Sequence, residues 1–409
     1  MSSLDVSAPA VRRGSDRCVL GLCALMAMIE GADLQAIGVT APQIAHEFNL
    51  SPSQIGTIFS AAMAGLLPGA LIGGRLTDIA GRKPVLLVSL ALFGLFSLAT
   101  TQVWNFPGLV LIRFLTGLGL GGAMPNLIAL SSEAVSAERR GTAVSTMFAG
   151  MPVGAALIAL VATFSAGQGG WHNIFYFGGV VPLLLILPGL AWLPASGGMA
   201  PASSATVSSC SRESASQALF GRGRAMTTVA IWISFFCTLI ILYFLMNWLP
   251  TLIIGRGLTH MQAEITQICF NLGGAVGAIA VGMAMDTMSK RAVVVTTYAL
   301  IFVALTGLGQ SDSMQGLSVF VTLAGISVVG AQSMLYVLAA TRYPFASRGT
   351  GVGAAVGVGR IGSIVGPAAA GQLLALGKTA AMVIGVSVPV AAIAAGAALL
   401  VLKMPDERD

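Results

Sequence analysis

The chain has 409 residues, of which 56% are hydrophobic and 9% are charged, and its formal net charge is +6. An ordinary soluble domain carries about 25% charged residues, so this composition excludes a soluble globular protein. The basic residues follow membrane topology, as their positions show, and they do not predict nucleic-acid binding.

Twelve apolar stretches follow one another along the chain, and each is long enough to cross a hydrocarbon core of about 30 Å. No soluble fold needs so many segments of this kind. They predict an all-α polytopic membrane protein with spans at approximately 18–40, 53–77, 84–103, 107–131, 141–166, 173–193, 226–250, 263–288, 292–310, 316–341, 348–374 and 378–403.

Three polar intervals flank or separate these spans. Residues 1–17 predict a cytoplasmic N-terminal tail, residues 194–225 a flexible cytoplasmic linker, and residues 404–409 a C-terminal tail. The first apolar run is too long for a signal-peptide core and has no clear cleavage site. We therefore expect two six-helix bundles, formed by residues 18–193 and 226–403.

The basic residues predict the orientation of the chain. With the N-terminus in the cytoplasm, 17 of the 21 Lys and Arg residues fall on the cytoplasmic side. Only Arg256 and Lys378 fall outside, while Arg113 and Arg360 lie within spans. This asymmetry is the positive-inside pattern. It predicts a multi-pass protein of the cell (inner) membrane with both termini in the cytoplasm.

Two acidic residues, Glu30 and Asp33, lie inside the first span. A carboxylate near the middle of a bilayer costs about 2.5–3.5 kcal/mol, so such residues are rare and mark functional sites. Their spacing of three residues puts both on one helical face, and Gly31 between them adds no side chain. The pair predicts a proton or substrate site.

The sequence matches itself at an offset of 208 residues. The matched positions lie in three pairs of spans, which predicts two homologous bundles of the same topology. Such bundles suit alternating access, in which they rock around a site near the midplane. Matches include Gly65 with Gly273, Gly74 with Gly282, Asp78 with Asp286, Gly117 with Gly325, and Arg140 with Arg348.

Several motifs carry a resemblance to a known family. The runs from Gly74 to Lys83 and from Arg113 to Gly117 resemble signatures of the major facilitator superfamily. Over nearly the whole chain the pattern is most similar to its aromatic acid:proton symporters, and within them to 3-(3-hydroxyphenyl)propionate transporters. This closer resemblance is carried by Glu30 to Gln35, Pro125 to Leu130, Asn247 to Pro250, Gly351 to Gly353, Gly359 to Gly362, and Gly366 with Pro367.

The resemblance implies a secondary transporter that imports aromatic carboxylates, hydroxyphenylpropionate-like or benzoate-like, together with protons. Asp33 and Glu30 are the expected proton-coupling carboxylates, because neighbouring buried carboxylates need protons or counter-charges. The resemblance places Arg113 with this machinery. A single structural carboxylate, hydrogen-bonded between helices, is the alternative for either acidic residue.

An aromatic carboxylate needs cationic compensation, apolar walls and a few orienting groups. Arg360 is the expected partner of the carboxylate, since a guanidinium can hold it through two parallel hydrogen bonds. Further polar and aromatic groups are expected to line the site at Asn126, Tyr243, Asn247, Trp248, Gln332 and Tyr336. For each of these, ordinary hydrogen bonding between helices stays open as an alternative.

A third set of residues is expected to gate the transporter at its cytoplasmic end, where charges near helix termini can form and break pairs. In the second half, the run from Asp286 to Arg291 lacks the glycine that precedes the basic pair in the first, so a looser loop is expected there. The gating residues are Gly74, Asp78, Gly81, Arg82, Lys83, Glu133, Glu138, Arg139 and Arg140, with Asp286 and Arg348 in the second half.

Two other functions are weighed against aromatic-acid import. One is an exporter or a carrier of another organic acid, and the other is a non-transporting membrane sensor. An enzyme is not expected, and neither is a cofactor, a metal site or a nucleic-acid partner. The expected partners are a small aromatic carboxylate, protons and the lipid bilayer, and the expected state is a monomer, since two bundles complete the pathway.

Overall fold

The computed structural model describes residues 13–135, 140–165, 170–194, 215–221, 224–343 and 348–404. Within these ranges the chain forms thirteen α-helices and no strand. Twelve of the helices are long and apolar enough to cross a membrane. The prediction of an all-α polytopic membrane protein is therefore confirmed.

The helices follow the order of the predicted spans, with one short addition between the sixth and seventh. Several are longer than predicted because polar residues continue the helix beyond the apolar run. Their bounds are α1 Arg13–Glu47, α2 Pro52–Ala80, α3 Arg82–Thr100, α4 Phe106–Glu133, α5 Arg140–Phe164, α6 Gly170–Trp192, α7 Ala215–Phe220, α8 Ala225–Ile254, α9 His260–Thr287, α10 Lys290–Gln310, α11 Met314–Arg342, α12 Arg348–Ala375 and α13 Ala380–Lys403.

The short helix α7 lies in the interval predicted as a flexible linker. Thr228 on α8 donates a hydrogen bond to the Leu219 carbonyl at 2.7 Å, and the Phe220 ring meets Trp232 edge-on, with centroids 5.7 Å apart. These apolar and polar contacts dock the end of α7 on α8. The expectation of a flexible linker is therefore corrected for residues 215–220.

The 208-residue offset reappears in the packing of the helices. Helix α4 packs on α2, and α11 packs on α9. A Cβ on Gly117 would overlap the backbone carbonyl of Ala62, and a Cβ on Gly325 would overlap that of Phe270. Glycine is needed at both positions because the two backbones touch there. Equivalent glycines thus make equivalent close contacts in the two halves of the chain.

The same offset applies to two helix starts. Ser51 caps α2 in a capping box with Gln54, and Thr259 caps α9 in a capping box with Gln262. In each box the hydroxyl accepts from the backbone N–H three residues on, while the glutamine side chain accepts from the backbone N–H of the cap residue. Both helices therefore begin at a position set by local sequence.

The two halves meet along α2 with α12, α5 with α9, and α1 with α8. Ser60 on α2 donates to the Ile364 carbonyl on α12 at 2.7 Å, and Gln372 on α12 donates to Ser53 on α2 at 2.7 Å. We call this end of the molecule, where α2 begins and α12 ends, the closed end. The contacts between halves at this end leave no room for solute between α2 and α12 there.

Candidate functional site

Asp33 on α1 and Arg113 on α4 form an ion pair inside the first half. Nη2 of Arg113 lies 3.3 Å from Oδ2 of Asp33, and neither side chain has exposed surface. Ser97 on α3 donates to Oδ1 of Asp33 at 3.0 Å, and the guanidinium lies 5.5 Å from the centre of the Phe175 ring on α6. Two of the three residues predicted for proton coupling are therefore in direct contact.

Glu30 lies about one turn before Asp33 on α1 and is only 2% exposed. Its Oε2 atom is buried and has no hydrogen-bond partner in the described part of the chain. A Cβ on the adjacent Gly31 would overlap the Met151 carbonyl, so α1 and α5 are in backbone contact beside the carboxyl. A carboxyl in such a place needs a proton or a counter-charge.

The second half supplies a cation at the same level. Arg360 on α12 is half-buried, and its Nη1 donates to the Tyr243 hydroxyl on α8 at 2.8 Å. The Tyr336 hydroxyl on α11 interacts electrostatically with this guanidinium and is hydrogen-bonded to Gln332. The Phe235 ring packs edge-on against Tyr336, with centroids 5.4 Å apart. Four of the predicted substrate residues are thus neighbours.

Charges from the two halves act on each other across the interface formed by α1, α2 and α5 with α8, α9 and α12, which we call the seam. Arg360 interacts electrostatically with Glu30, which itself interacts with Asp33. We call Glu30, Asp33, Arg113, Tyr243 and Arg360 the central cluster. It joins the predicted proton-coupling and substrate groups, although the two sets come from different halves of the chain.

Asn247 and Trp248 lie near the cluster on α8 and make structural contacts. Asn247 is buried and donates back to the Tyr243 carbonyl at 2.8 Å. Trp248 is buried, donates to the Pro367 carbonyl on α12 at 2.9 Å, and packs edge-on against Phe59 of α2. Trp248 therefore fills the seam between the halves.

Asn126 is placed apart from the other predicted substrate residues. It lies 13 residues beyond Arg113 on α4, which is about 20 Å along the helix axis. Its side chain accepts from the Thr77 hydroxyl at 2.8 Å and donates to the Gly122 carbonyl at 2.9 Å. The alternative noted for such residues, hydrogen bonding between helices, describes the observed contacts of Asn126.

The structure adds a residue to the site that the sequence reasoning did not single out. Gln35 on α1 has no exposed surface and donates to the Met246 carbonyl on α8 at 3.0 Å. Its Oε1 accepts from Gln267 on α9 at 2.9 Å and lies 3.5 Å from Nδ2 of Asn271. The available signal was the run of polar residues on one face of an apolar span, at 264, 267 and 271.

At the opposite end from the closed end, several predicted gating residues make defined contacts. Arg82 forms an ion pair with Glu133, which ties the start of α3 to the end of α4. Lys83 donates to the carbonyls of Leu190 at 2.7 Å and Leu193 at 2.8 Å, at the end of α6. A cation at a helix C-terminus complements the unpaired carbonyls there.

The two predicted gating glycines differ in their structural demands. Gly81, between α2 and α3, has φ 87° and ψ 165°, a conformation essentially restricted to glycine. Gly74 lies inside α2, and a Cβ built there meets nothing within 4 Å. Packing therefore does not require glycine at position 74.

The remaining gating residues are described only in part. Asp286 is exposed at the end of α9. The side chains of Asp78, Arg140 and Arg348 lie outside the described residues, as do residues Glu138 and Arg139. In the loop that follows Asp286, Ser289 caps α10 by accepting from Ala292 N–H at 3.3 Å, and the looser loop expected there stays a prediction. A hydroxyl cap replaces the glycine of the first half.

Buried charges of both signs, shared between two pseudo-symmetric halves, are suited to moving a charged solute by exchanging partners. The sequence profile described as Major Facilitator Superfamily matches residues 23–367. The chain belongs to the major facilitator superfamily. It is accordingly a multi-pass membrane transporter, as the sequence resemblance predicted.

Curated relatives cover most of the chain. The chain is 44% identical over 385 residues to a 3-(3-hydroxy-phenyl)propionate transporter of Escherichia coli, with 94% of this chain and 93% of the relative covered. It is 36% identical to a 4-hydroxybenzoate transporter and 35% identical to a gallate transporter, both of Pseudomonas putida, with 88% of this chain and 86% of the relative covered in each case.

Solved structures support the fold. An inward-facing, unoccupied bacterial homologue of the human lysosomal transporter Spinster superposes with a TM-score of 0.77 at 16% identity, covering 97% of this chain and 99% of that chain. A D-xylose-proton symporter superposes with a TM-score of 0.75 at 19% identity, covering 96% and 98%. At such identities these structures establish the major facilitator fold and nothing finer.

Proposed function

We propose that this protein imports aromatic carboxylates, hydroxyphenylpropionate-like or benzoate-like, in symport with protons. The observation that carries the proposal is the central cluster, in which Arg360 contacts Tyr243 on its own side and interacts with Glu30 of the other half. Tyr336 lies beside the cluster. The substrate class is also that of the relatives at 44%, 36% and 35% identity.

Arg360 fits the task of holding an anion. Its Nη1 is engaged by Tyr243, and an incoming carboxylate would take donors of the same planar group through paired hydrogen bonds. Tyr336, which is partly exposed, lies beside it and would contact a substrate ring, while the buried Phe235 packs edge-on against Tyr336. Binding of the anion would compete with Glu30 for the positive charge of Arg360.

That competition links substrate to protons. When Glu30 loses the compensation of Arg360, a buried carboxylate is left that must take up a proton. Asp33 holds Arg113 in the same half, and protonation of Asp33 would release that guanidinium. One proton carried with one monoanion moves no net charge, so such transport draws on the pH gradient and not on the membrane potential.

The orientation follows from the basic residues and completes the proposal. With both termini in the cytoplasm of an inner (cell) membrane, the closed end is extracytoplasmic. A single chain would suffice, because both halves of the cluster belong to it.

The test is uptake of labelled hydroxyphenylpropionate and benzoates into proteoliposomes, with and without an inwardly directed proton gradient. Concentrative uptake that requires the gradient is the expected result. Uptake unchanged by an uncoupler would refute proton coupling, and transport of none of these anions would refute the substrate class. Accumulation in everted vesicles only would indicate export. Arg360→Lys keeps the positive charge but loses the planar fork of donors, so it separates the effect of charge from the effect of paired hydrogen bonds.

A further inference from the structure

A buried carboxyl outside the central cluster has no assigned role. Glu264, on the second turn of α9, is 3% exposed, and its Oε2 has no hydrogen-bond partner among the described residues. One turn further, Oε1 of Gln267 is buried and equally without a partner among those residues. Two buried acceptors on adjacent turns are both costly when unpaired.

A single proton would satisfy both atoms. Side chains three residues apart on a helix are neighbours, with Cβ atoms about 5–6 Å apart. A protonated Glu264 carboxyl has one O–H donor and can give it to the Gln267 amide oxygen. Without that proton, both oxygens remain buried acceptors with no donor among the described residues.

Gln267 also contacts the first half of the chain. Its Nε2 donates to Oε1 of Gln35 at 2.9 Å, and Nε2 of Gln35 donates to the Met246 carbonyl on α8 at 3.0 Å. A Cβ on Gly38, one turn from Gln35 on α1, would lie 3.0 Å from that same carbonyl. The chain of donors therefore ties α1 of the first half to α8 and α9 of the second.

We propose that Glu264 is a further proton-binding site, whose proton holds the hydrogen-bond chain from Glu264 through Gln267 and Gln35 to the Met246 carbonyl. With the proton bound, the Gln267 oxygen is occupied and its Nε2 stays on Gln35. When the proton leaves, the carboxylate attracts the Gln267 amide nitrogen, the amide turns over, and Gln35 loses its 2.9 Å donor and keeps only the longer, 3.5 Å contact with Asn271. Protonation thus favours the closed end, and deprotonation favours its opening.

Among the described residues, the Glu264 carboxyl forms no ion pair, so no described cation takes the place of the proton. His260, one turn earlier on α9, is exposed. The other titratable groups on α9 and on the helices in contact with it are Arg13, Asp16, Arg17, Cys18, Cys23, Glu30, Asp33, His46 and Glu47 on α1, Arg140 on α5, Cys237 and Tyr243 on α8, Cys269 and Asp286 on α9, Lys290, Arg291 and Tyr298 on α10, and Tyr336 and Arg342 on α11.

The proposal is independent of which anion is carried and of whether protons drive its transport, so it can fail or hold separately from the proposed function. Spin labels are placed at the exposed positions Gln102, after α3, and Gln310, at the end of α10, one in each half at the closed end, in the full chain with its native cysteines replaced. Double electron–electron resonance then measures the closed and open populations in nanodiscs, without substrate, from about pH 5 to about pH 9.

The closed state binds the extra proton, so the closed-to-open ratio should fall as pH rises, by about fivefold for one buried hydrogen bond. Glu264→Gln, whose amide can donate permanently to Gln267, should stay closed at every pH. Gln267→Leu keeps Glu264 but breaks the chain, and should lose the pH response. Asp312→Asn, an exposed acidic residue, should respond as the parent does. A flat parent profile, or the parental pH response in Glu264→Gln or Gln267→Leu, would overturn the proposal.

Discussion

Asp33 and Arg113 are each other's only ionic partner in the described part of the chain, and their ion pair leaves no surface of either side chain exposed. A pair buried this completely is stable only while both partners are present, since either alone is an uncompensated charge. The same property makes it a switch. Protonation of Asp33 removes one charge and frees the other to find a new partner.

Replacing Asp33 should therefore damage both stability and transport. Asp33→Asn leaves Arg113 buried and unpaired, and should cost on the order of 3–5 kcal/mol, visible as a lower melting temperature in detergent. Gradient-driven uptake should be lost. The double variant Asp33→Asn with Arg113→Gln should recover the melting temperature but not the uptake.

Ser97→Ala provides the matched control for that experiment. It removes one neutral donor to Asp33, should cost about 1 kcal/mol, and should keep uptake. If Asp33→Asn transported as well as Ser97→Ala, the proton-coupling role of Asp33 would be wrong.

The anion-binding role of Arg360 predicts an effect on affinity. Tyr243→Phe removes the acceptor of the hydrogen bond from Arg360, and hydrogen bonds to charged groups are worth about 1.5–3 kcal/mol. The KM for the transported anion should rise about tenfold or more, with kcat changed less. Arg360→Lys should raise KM further because it loses the fork geometry.

Asn126 offers a control for these affinity changes. Its side chain is occupied by Thr77 and Gly122, far along α4 from Arg113. Asn126→Ala should therefore leave KM unchanged. A rise in KM equal to that of Tyr243→Phe would instead support the role in substrate binding that the sequence predicts for Asn126.

The two gating glycines should respond differently to alanine. Gly81→Ala forces a Cβ into a backbone region that costs about 1–3 kcal/mol for other residues, and should lower the melting temperature. Gly74→Ala meets nothing within 4 Å and should not lower it. Equal melting temperatures for the two variants would contradict the conformation described for Gly81.

The ion pair between Arg82 and Glu133 should affect turnover more than stability. The side chains are 36% and 53% exposed, and exposed pairs contribute at most about 1 kcal/mol. Arg82→Glu should lower kcat with little change in KM, and the charge swap Arg82→Glu with Glu133→Arg should restore it. Failure of the swap, with both proteins folded, would assign the effect to another partner of Arg82.

Asp78→Asn should follow the same pattern in initial-rate uptake assays, with turnover impaired more than affinity. Near-normal uptake by this variant would contradict a gating role for Asp78.

The linear sequence was enough for the membrane class, the twelve long helices and the duplication. Apolarity over some twenty residues and a constant offset are properties of the linear sequence, and they do not depend on how the helices pack against one another. Even the capping boxes at Ser51 and Thr259 could be found from local sequence, because a cap contacts only the next turn. The buried acidic pair in the first span was visible for the same reason.

Tertiary structure decided which partner each of these groups takes. The orientation of α1 about its axis places Asp33 against Arg113 and Glu30 near Arg360. The sequence alone does not say which arginine lies beside which carboxylate. Asn126 and Gln35 are both polar residues in apolar spans, yet the first is occupied within its own half and the second links the two halves. Hydrophobic periodicity indicates that a residue lies in a helix, but the facing residue depends on packing against distant segments.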